Sequence, residues 1–323
     1  SIDLSKNPEM IFYKPYSKNT LMHSLIDYTV NTGGTNGMTK DAFDNYLFLD
    51  GKPLATTTLN KTDAPKMVIV NVQKKVDGVM KTVQDTSYHI GHLFTVRDKR
   101  LSATLDSVLA FKGKAYSRAG SNAFTSTTGY GVAKYDNPQL LTTTERNNIN
   151  RQYTDAPIYW LSVIYLNYAE AMAELGTITQ NDLNKSVNLL QARAGLPNMT
   201  LTPDADPANN MGVSNLLWEI RRARRCELMF DNWYRYWDLI RWHQLELVDS
   251  KAHPNIYRGA NMTTVDKPQV ELDTLNNAAP WEVYMAGSNT RKQVRTYDKK
   301  YYFYPIPTGQ KALNGNLEQN PGW

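Results

Sequence analysis

The chain has 323 residues, enough for one large or two ordinary domains with a sizeable buried core. Lys and Arg total 36 against 31 for Asp and Glu, a mild surplus that falls short of the dense basic field nucleic-acid binding needs; 41% hydrophobic and 21% charged residues exclude wholesale disorder. The single cysteine, Cys226, excludes an internal disulfide framework and any multi-cysteine metal site, and the longest apolar runs (67–70 and 163–166) are far too short to span a bilayer.

The opening SIDLSKNPEM carries no charged-then-apolar leader. From there to residue 110 the pattern predicts short strands between long loops. IFYKPY (11–16), YLFL (46–49), MVIVNV (67–72) and YHIGHLFTV (88–96) are aromatic and β-branched, bounded by Gly, Pro, Asn and Asp. NTGGTNG (31–37) reads as a loop. Residues 111–150, rich in Gly, Ser, Thr and Asn, read as irregular with one strand around 130–135.

The pattern changes at residue 155. Asp155 is placed to cap a helix, Pro157 fits its first turn, and Leu161, Ile164, Tyr168, Met172 and Leu175 form a helical stripe that Gly176 ends. A second stripe, Leu183, Val187, Leu190 and Ala194, stops at Gly195. Such a pair has the logic of one TPR-like unit, which needs neighbours to bury its apolar face.

Residues 214–246 predict a helix capped by Ser214, with Leu216, Ile220, Ala223, Phe230, Tyr234 and Trp237 on one stripe. Glu227 falls on that stripe too, and a buried carboxylate demands a cation. Arg221, Arg222, Arg224, Arg225, Arg235 and Arg241 are available; Asp231–Arg235 and Asp238–Arg241 have the spacing of intrahelical pairs. Asn232 suits a left-handed turn that would split the stretch in two. After residue 250 the chain is loop-rich. Residues 301–323 read as an aromatic strand, a Pro-fixed turn, a short helix capped by Thr308, and a terminal Trp that packs back.

Two of these stretches, RRARRCELMFDNWYRYWDLIRW (221–242) and the tail YPIPTGQ…NLEQNPGW, resemble the SusD/RagB family of outer-membrane nutrient-binding lipoproteins. The first is similar to that family's R-x-E-R-R-x-E-L-x-F-E-G-x-R-x-x-D-L-x-R-W signature, represented here by Arg225, Glu227, Asp231, Arg235, Asp238, Arg241 and Trp242. Weaker echoes are NPEMIFYKPY (7–16), DGKPL (50–54), RDKRL (97–101) and AEAMAELG (169–176). Ala223 departs from the family's usual Glu, and Asp231-Asn232 from its Glu-Gly. The resemblance implies a mainly α, SusD-like fold with TPR-like helix pairs plus a loop-rich region containing short strands. Residues 1–154 are expected to be the loop- and strand-rich, ligand-bearing part and 155–323 the helical body, in one integrated domain lacking an N-terminal TPR part. It further implies non-catalytic capture of a glycan, delivery to a SusC-like TonB-dependent transporter, cell-surface location at the outer membrane, and attachment through an N-terminal lipid absent from this chain. No cofactor, metal or nucleic acid is implied.

Other chemistries are poorly served. His89 and His92 have metal-like spacing but no third ligand, and Asp204 with Asp206 lacks the glycine a calcium loop needs at its sixth position. The charged cluster reads as a structural network in which Glu227, Asp231 and Asp238 neutralise arginines, rather than as an acidic-ligand site. A glycoside hydrolase and a structural module without small-ligand binding are the alternative functions. Candidate ligand contacts are aromatics and polar groups in loop contexts: Tyr28, Asn36 and Phe43 around the glycine-rich loop, and Trp281, Tyr284 and Arg291 after the Asn-Asn-Ala-Ala-Pro turn.

Overall fold

The structure is a computed structural model that describes residues 3–25, 36–118, 120–266, 270, 272–273, 284–286 and 295–323. Strand β1 (Met10–Lys14) pairs antiparallel with β6 (Ala156–Trp160), crossing the change of pattern at residue 155. Between them lie α1 (Lys40–Asp44), β2 (Lys66–Val76), β3 (Val79–His89), α2 (Gly91–Phe94), α3 (Lys99–Thr104), β4 (Leu105–Leu109), β5 (Tyr130–Val132) and α4 (Thr143–Asn147). Strands β2 to β5 form one sheet in chain order. The helical part follows: α5 (Leu161–Glu174), α6 (Gln180–Asn184), α7 (Val187–Arg193), α8 (Asn215–Glu227) and α9 (Tyr234–Arg241). Strands β7 (Arg258–Asn261) and β8 (Tyr284–Ala286) pair with each other, and α10 (Thr308–Leu313) lies near the end. Among the described residues no helix is long and apolar enough to cross a membrane.

Helix and strand are thus mixed, which corrects the expected mainly α class. The largest source of the difference is the β2–β3 ribbon, paired residue by residue from Lys66↔His89 to Val76↔Val79. Asp77 and Gly78 both take positive φ at its tip (53° and 83°), the requirement of a tight primed turn. The expected strand at 67–72 is the first half of β2; the one at 88–96 ends at His89, where a single helical turn begins. YLFL (46–49) is no strand but a buried turn.

One core lies around Phe43, Tyr46, Tyr88 and Tyr130, where the Phe43 and Tyr130 rings stack 4.8 Å apart. A second joins α5, α7 and α8 through Val163, Leu166, Val187, Leu190, Ile220 and Ala223. Leu183, Val187, Leu190 and Ala194 are buried as their spacing predicts, and Gly176 and Gly195 have positive φ. On α5 the predicted stripe is the wrong face: Ile164, Tyr168 and Leu175 are exposed, while Ser162, Val163, Leu166, Ala169 and Glu170 are buried. Both faces carry apolar residues, and the one that turns inward also carries Glu170. That carboxylate accepts from Trp242 Nε1 and from Arg241 Nη2, both at 2.5 Å, and lies 3.4 Å from Arg221. Asp155 does not cap α5; its carboxylate accepts from the backbone N–H groups of Leu4 and Tyr16, both at 2.9 Å, and staples the first strand's segment to β6.

Helix α8 is capped by Ser214, whose hydroxyl accepts from Leu217 N–H. Its arginines find carboxylates on other segments and, for Arg222, also on α8 itself. Arg221 pairs with Glu174 (2.9 Å), Arg222 with Asp206 and Glu219, Arg224 with Asp238 (2.7 Å), and Arg225 with Asp41 of α1 (2.5 Å). Glu227 is bound by Arg100 and Arg193. Burial pushes the Glu227 carboxyl up, but these two guanidinium groups outweigh it and hold the group below its ordinary value. Asp206, considered above for calcium, is committed to Arg222 and Trp218 Nε1.

The terminal segment folds onto itself. Lys299–Tyr302 is a 3-10 turn rather than a strand, and Pro307, not Thr308, occupies the cap position of α10. Gln319 clamps both backbone groups of Ile306 (2.7 and 3.0 Å), Asn320 donates to Tyr304 O (2.6 Å), and Trp323 Nε1 reaches the carbonyls of Phe303 and Lys300 at 2.9 and 3.1 Å. Tyr302 anchors this unit to the body, its hydroxyl accepting from Leu245 N–H at 3.0 Å.

Two outcomes follow from the packing of α8. Replacing Asp238 by Ala strands Arg224 in the interior, and urea unfolding should show a loss of about 3–5 kcal/mol; a loss below about 1 kcal/mol would mean that solvent reaches the pair. Burial pushes the Cys226 thiol up to about 12, so a disulfide reagent at about pH 8 should label it only after unfolding. Rapid labelling of the native protein would contradict this packing.

Candidate ligand-binding groove

A groove of about 1380 Å³ runs between α1, the turn at 127–128, the start of β6 and the junction of α8 with α9. That junction is its most unusual wall. Phe230, Asn232 and Trp233 take φ of 64°, 39° and 60°, a conformation that costs a residue with a Cβ about 1–2 kcal/mol. Three such residues within four positions persist only where surrounding bonds over-determine them.

Those bonds are present. Asp231, buried at the centre of the turn, accepts from Lys134 Nζ (2.7 Å) and from the Tyr135 hydroxyl, and Lys134 also donates to Met229 O (2.8 Å). Asn232 Nδ2 donates to the carbonyls of Pro157 and Ile158 at 3.3 and 3.1 Å, and the Tyr234 hydroxyl donates to Ile158 O at 3.3 Å. Burial and the adjacent Asp231 raise the pKa of Tyr135, which keeps its phenol a donor. The expected Asp231–Arg235 pair does not form, because the left-handed turn takes the two residues out of one helical register. Asp238–Arg241 does form, at 2.9 Å.

The result of the clamp is that Phe230 and Trp233 face outward on the groove, 40% and 79% exposed. A planar ring fixed at a groove wall offers its face to flat apolar surfaces such as the C–H face of a sugar. At the groove's 127–128 turn, Gly37 and Gly259 leave room for the close approach of their neighbours. A Cβ on Gly37 would come 2.1 Å from Ser126 Oγ, and one on Gly259 would come 2.3 Å from Thr128 O. Only glycine allows the Gly259 backbone to approach that of Thr128 so closely and leaves the Ser126 hydroxyl its place beside Gly37. Of the acidic side chains lining the groove, Asp231 is bound to Lys134 and Tyr135, and Asp238 to Arg224 and Arg241.

Of the residues predicted from sequence as ligand contacts, Asn36 lies on this groove and is exposed. Phe43 is fully buried, stacked on Tyr130 with the Arg97 guanidinium 4.9 Å from its ring, so it serves the core instead of a ligand face. Tyr284, 7% exposed, lies in the same region, with Lys40 5.4 Å from its ring. Phe43 and Tyr284 thus both lie inside, with Lys40 Nζ within 6.0 Å of each ring. Tyr28, Trp281 and Arg291 lie outside the described residues. Sequence reasoning missed Phe230 and Trp233 as surface rings. The stripe expected over 214–246 includes Phe230, although the left-handed turn expected at Asn232 necessarily takes its neighbours off that stripe. Among the described residues no group of His, Cys, Asp and Glu is arranged to hold a metal, and His89 and His92 fall on different elements.

The backbone cost at the turn gives a direct test. Trp233→Gly removes an exposed ring and relieves the left-handed strain, so it should stabilise the fold by about 0.5–1 kcal/mol in urea unfolding, whereas Trp233→Ala should give no such gain. Destabilisation by Trp233→Gly would show that the ring serves the fold.

Comparison with known proteins gives three findings. The model of the SusD family, SusD/RagB, matches residues 8–323. Among solved structures, the chain is similar to a SusD superfamily protein from Parabacteroides distasonis ATCC 8503, at 15% identity and a TM-score of 0.45 over 98% of this chain and 50% of that one. It is also similar to a SusD homolog from Bacteroides thetaiotaomicron VPI-5482, at 20% identity and a TM-score of 0.38 over 60% of this chain and 32% of that one. The chain thus spans about half the length of the first and a third of the second. No curated protein matches it.

Proposed function

The chain belongs to the SusD family, and from that premise we propose that it captures a glycan at the outer surface of a bacterium, without chemistry, for delivery to a SusC-like TonB-dependent transporter. The observation that carries this reading is the pair of outward-facing rings, Phe230 and Trp233, held on a large groove by a left-handed turn that its surrounding hydrogen bonds fix in place. Sugar rings stack on such faces while their hydroxyls bond to amide and hydroxyl groups; Asn36, Thr39 and Thr128 lie along the same groove. A capture role without hydrolysis is supported by the acidic residues of the groove. Asp231 and Asp238 are each bound by two partners, whereas a glycosidase needs one carboxyl free to give a proton and another free to attack or to activate water.

The remaining parts of the reading go with it. Attachment to the outer membrane is through an N-terminal lipid, and the paired helices α5 and α6–α7 act as a TPR-like unit. Tyr28, Trp281 and Arg291 remain proposed contacts beside Asn36.

Affinity electrophoresis against a panel of polysaccharides, with reducing ends assayed in the same samples, tests the proposal. One glycan should retard the protein without new reducing ends, and Trp233→Ala or Phe230→Ala should weaken that retardation about tenfold. New reducing ends would overturn the reading in favour of a hydrolase. Retardation by none would leave the protein as an interaction module.

A further inference from the structure

The arginines at the base of the groove are not all neutralised. Arg225 and Arg235 line both the large groove and an adjoining cavity of about 470 Å³ that contains Asp41 and His253. Three arginines here, Arg224, Arg225 and Arg235, share two carboxylates. Asp238 is bound by Arg224 at 2.7 Å and by Arg241 at 2.9 Å, and Asp41 is bound by Arg225 at 2.5 Å. Arg235 is half-buried and makes no hydrogen bond or ion pair among the described residues; the ring of Trp242 lies 6.0 Å from its guanidinium. Burial and the neighbouring Arg225 lower its pKa, while Asp41 and Asp238 act only from a distance. A half-buried guanidinium beside another arginine and without a bound carboxylate is left with its charge unneutralised by the fold. On the same groove the guanidinium of Arg295 is exposed and makes no hydrogen bond or ion pair among the described residues either.

We infer that Arg235 is the receptor for an anionic substituent on the captured glycan, a carboxylate or a sulfate ester. The inference rests on the capture reading above and narrows it to acidic polysaccharides. The guanidinium presents parallel N–H donors that match either oxyanion bidentately. The rings of Phe230 and Trp233 lie on the same groove and supply a face for the sugar that bears the charge. The ligand would thus provide the counter-ion that the fold leaves out.

Affinity electrophoresis with polygalacturonate, dextran sulfate and neutral dextran, run on the full chain, on Arg235→Met, on Arg235→Lys and on Lys75→Met, tests this. Lys75 is exposed on the β2–β3 ribbon, so its variant loses a charge away from the groove. At least one acidic polymer should be retained in preference to dextran, and which one it is separates carboxylate from sulfate. Arg235→Met should weaken that retention about 10- to 100-fold, and Lys75→Met by less than about twofold. Thermal unfolding supplies the independent readout: losing an unneutralised charge should leave the melting temperature of Arg235→Met unchanged or higher. Arg235→Lys keeps the charge without the fork and should lose most of the preference. The inference falls if dextran is retained as well as the acidic polymers, in which case capture itself still stands. It falls with the capture reading if no polymer is retained. It also falls if Lys75→Met weakens retention as much as Arg235→Met, if Arg235→Lys retains the full preference, or if Arg235→Met melts at a markedly lower temperature.

Discussion

Helix α8 brings Arg221, Arg222 and Arg224 into the interior, and each is acceptable there only because a carboxylate from another part of the chain meets it. The desolvation of a buried guanidinium is so costly that the partners cannot be approximate in position. They arrive from α5 (Glu170 and Glu174), from the loop at residue 206, and from α9 (Asp238); the less buried Arg225 adds Asp41 of α1. One helix thereby fixes the approach of four segments. The hydrophobic contacts of Ile220 and Ala223 add stabilisation but little directionality, since apolar burial scales with area and not with angle.

The same requirement explains the orientation of α5. Its two apolar stripes differ little in hydrophobicity, and the choice falls to Glu170, which must meet Arg221, Arg241 and Trp242 Nε1. The exposed stripe of Ile164, Tyr168 and Leu175 is left behind by that choice. At the far end of α8, with Asp238 already held by Arg224 and Arg241, the chain between the helices has few residues in which to reverse. It does so in a left-handed turn that Lys134, Tyr135 and β6 stabilise from outside. The groove and its rings are therefore consequences of the network and not separate additions to it.

Much of this was legible in the residues. Ser214 as a cap, Gly176 and Gly195 as stops, the break at Asn232 and the Leu183–Ala194 stripe are local signals, and local backbone physics decides them. The Asp77-Gly78 turn is equally local; β2 continues past Val72 through the polar Gln73, Lys74 and Lys75 because a ribbon exposed on both faces tolerates polar residues. Phe43 illustrates the opposite limit. An aromatic beside a glycine-rich loop looks like a surface ring, and only the stacking against Tyr130, 87 residues away in the numbering, makes it core.

By itself the sequence determined the boundaries set by Ser214, Gly176 and Gly195, the need of the α8 arginines for carboxylates, and the family to which their order and the closing motif point. The tertiary structure decided which carboxylate meets which arginine, which face of α5 turns inward, and which aromatic rings reach solvent. The physical reason is separation along the chain. Caps and turns act over three or four residues, where spacing is visible. Asp41 and Arg225, or Asp206 and Arg222, act over a few ångströms but across 184 and 16 positions, and only folding brings such distances to contact.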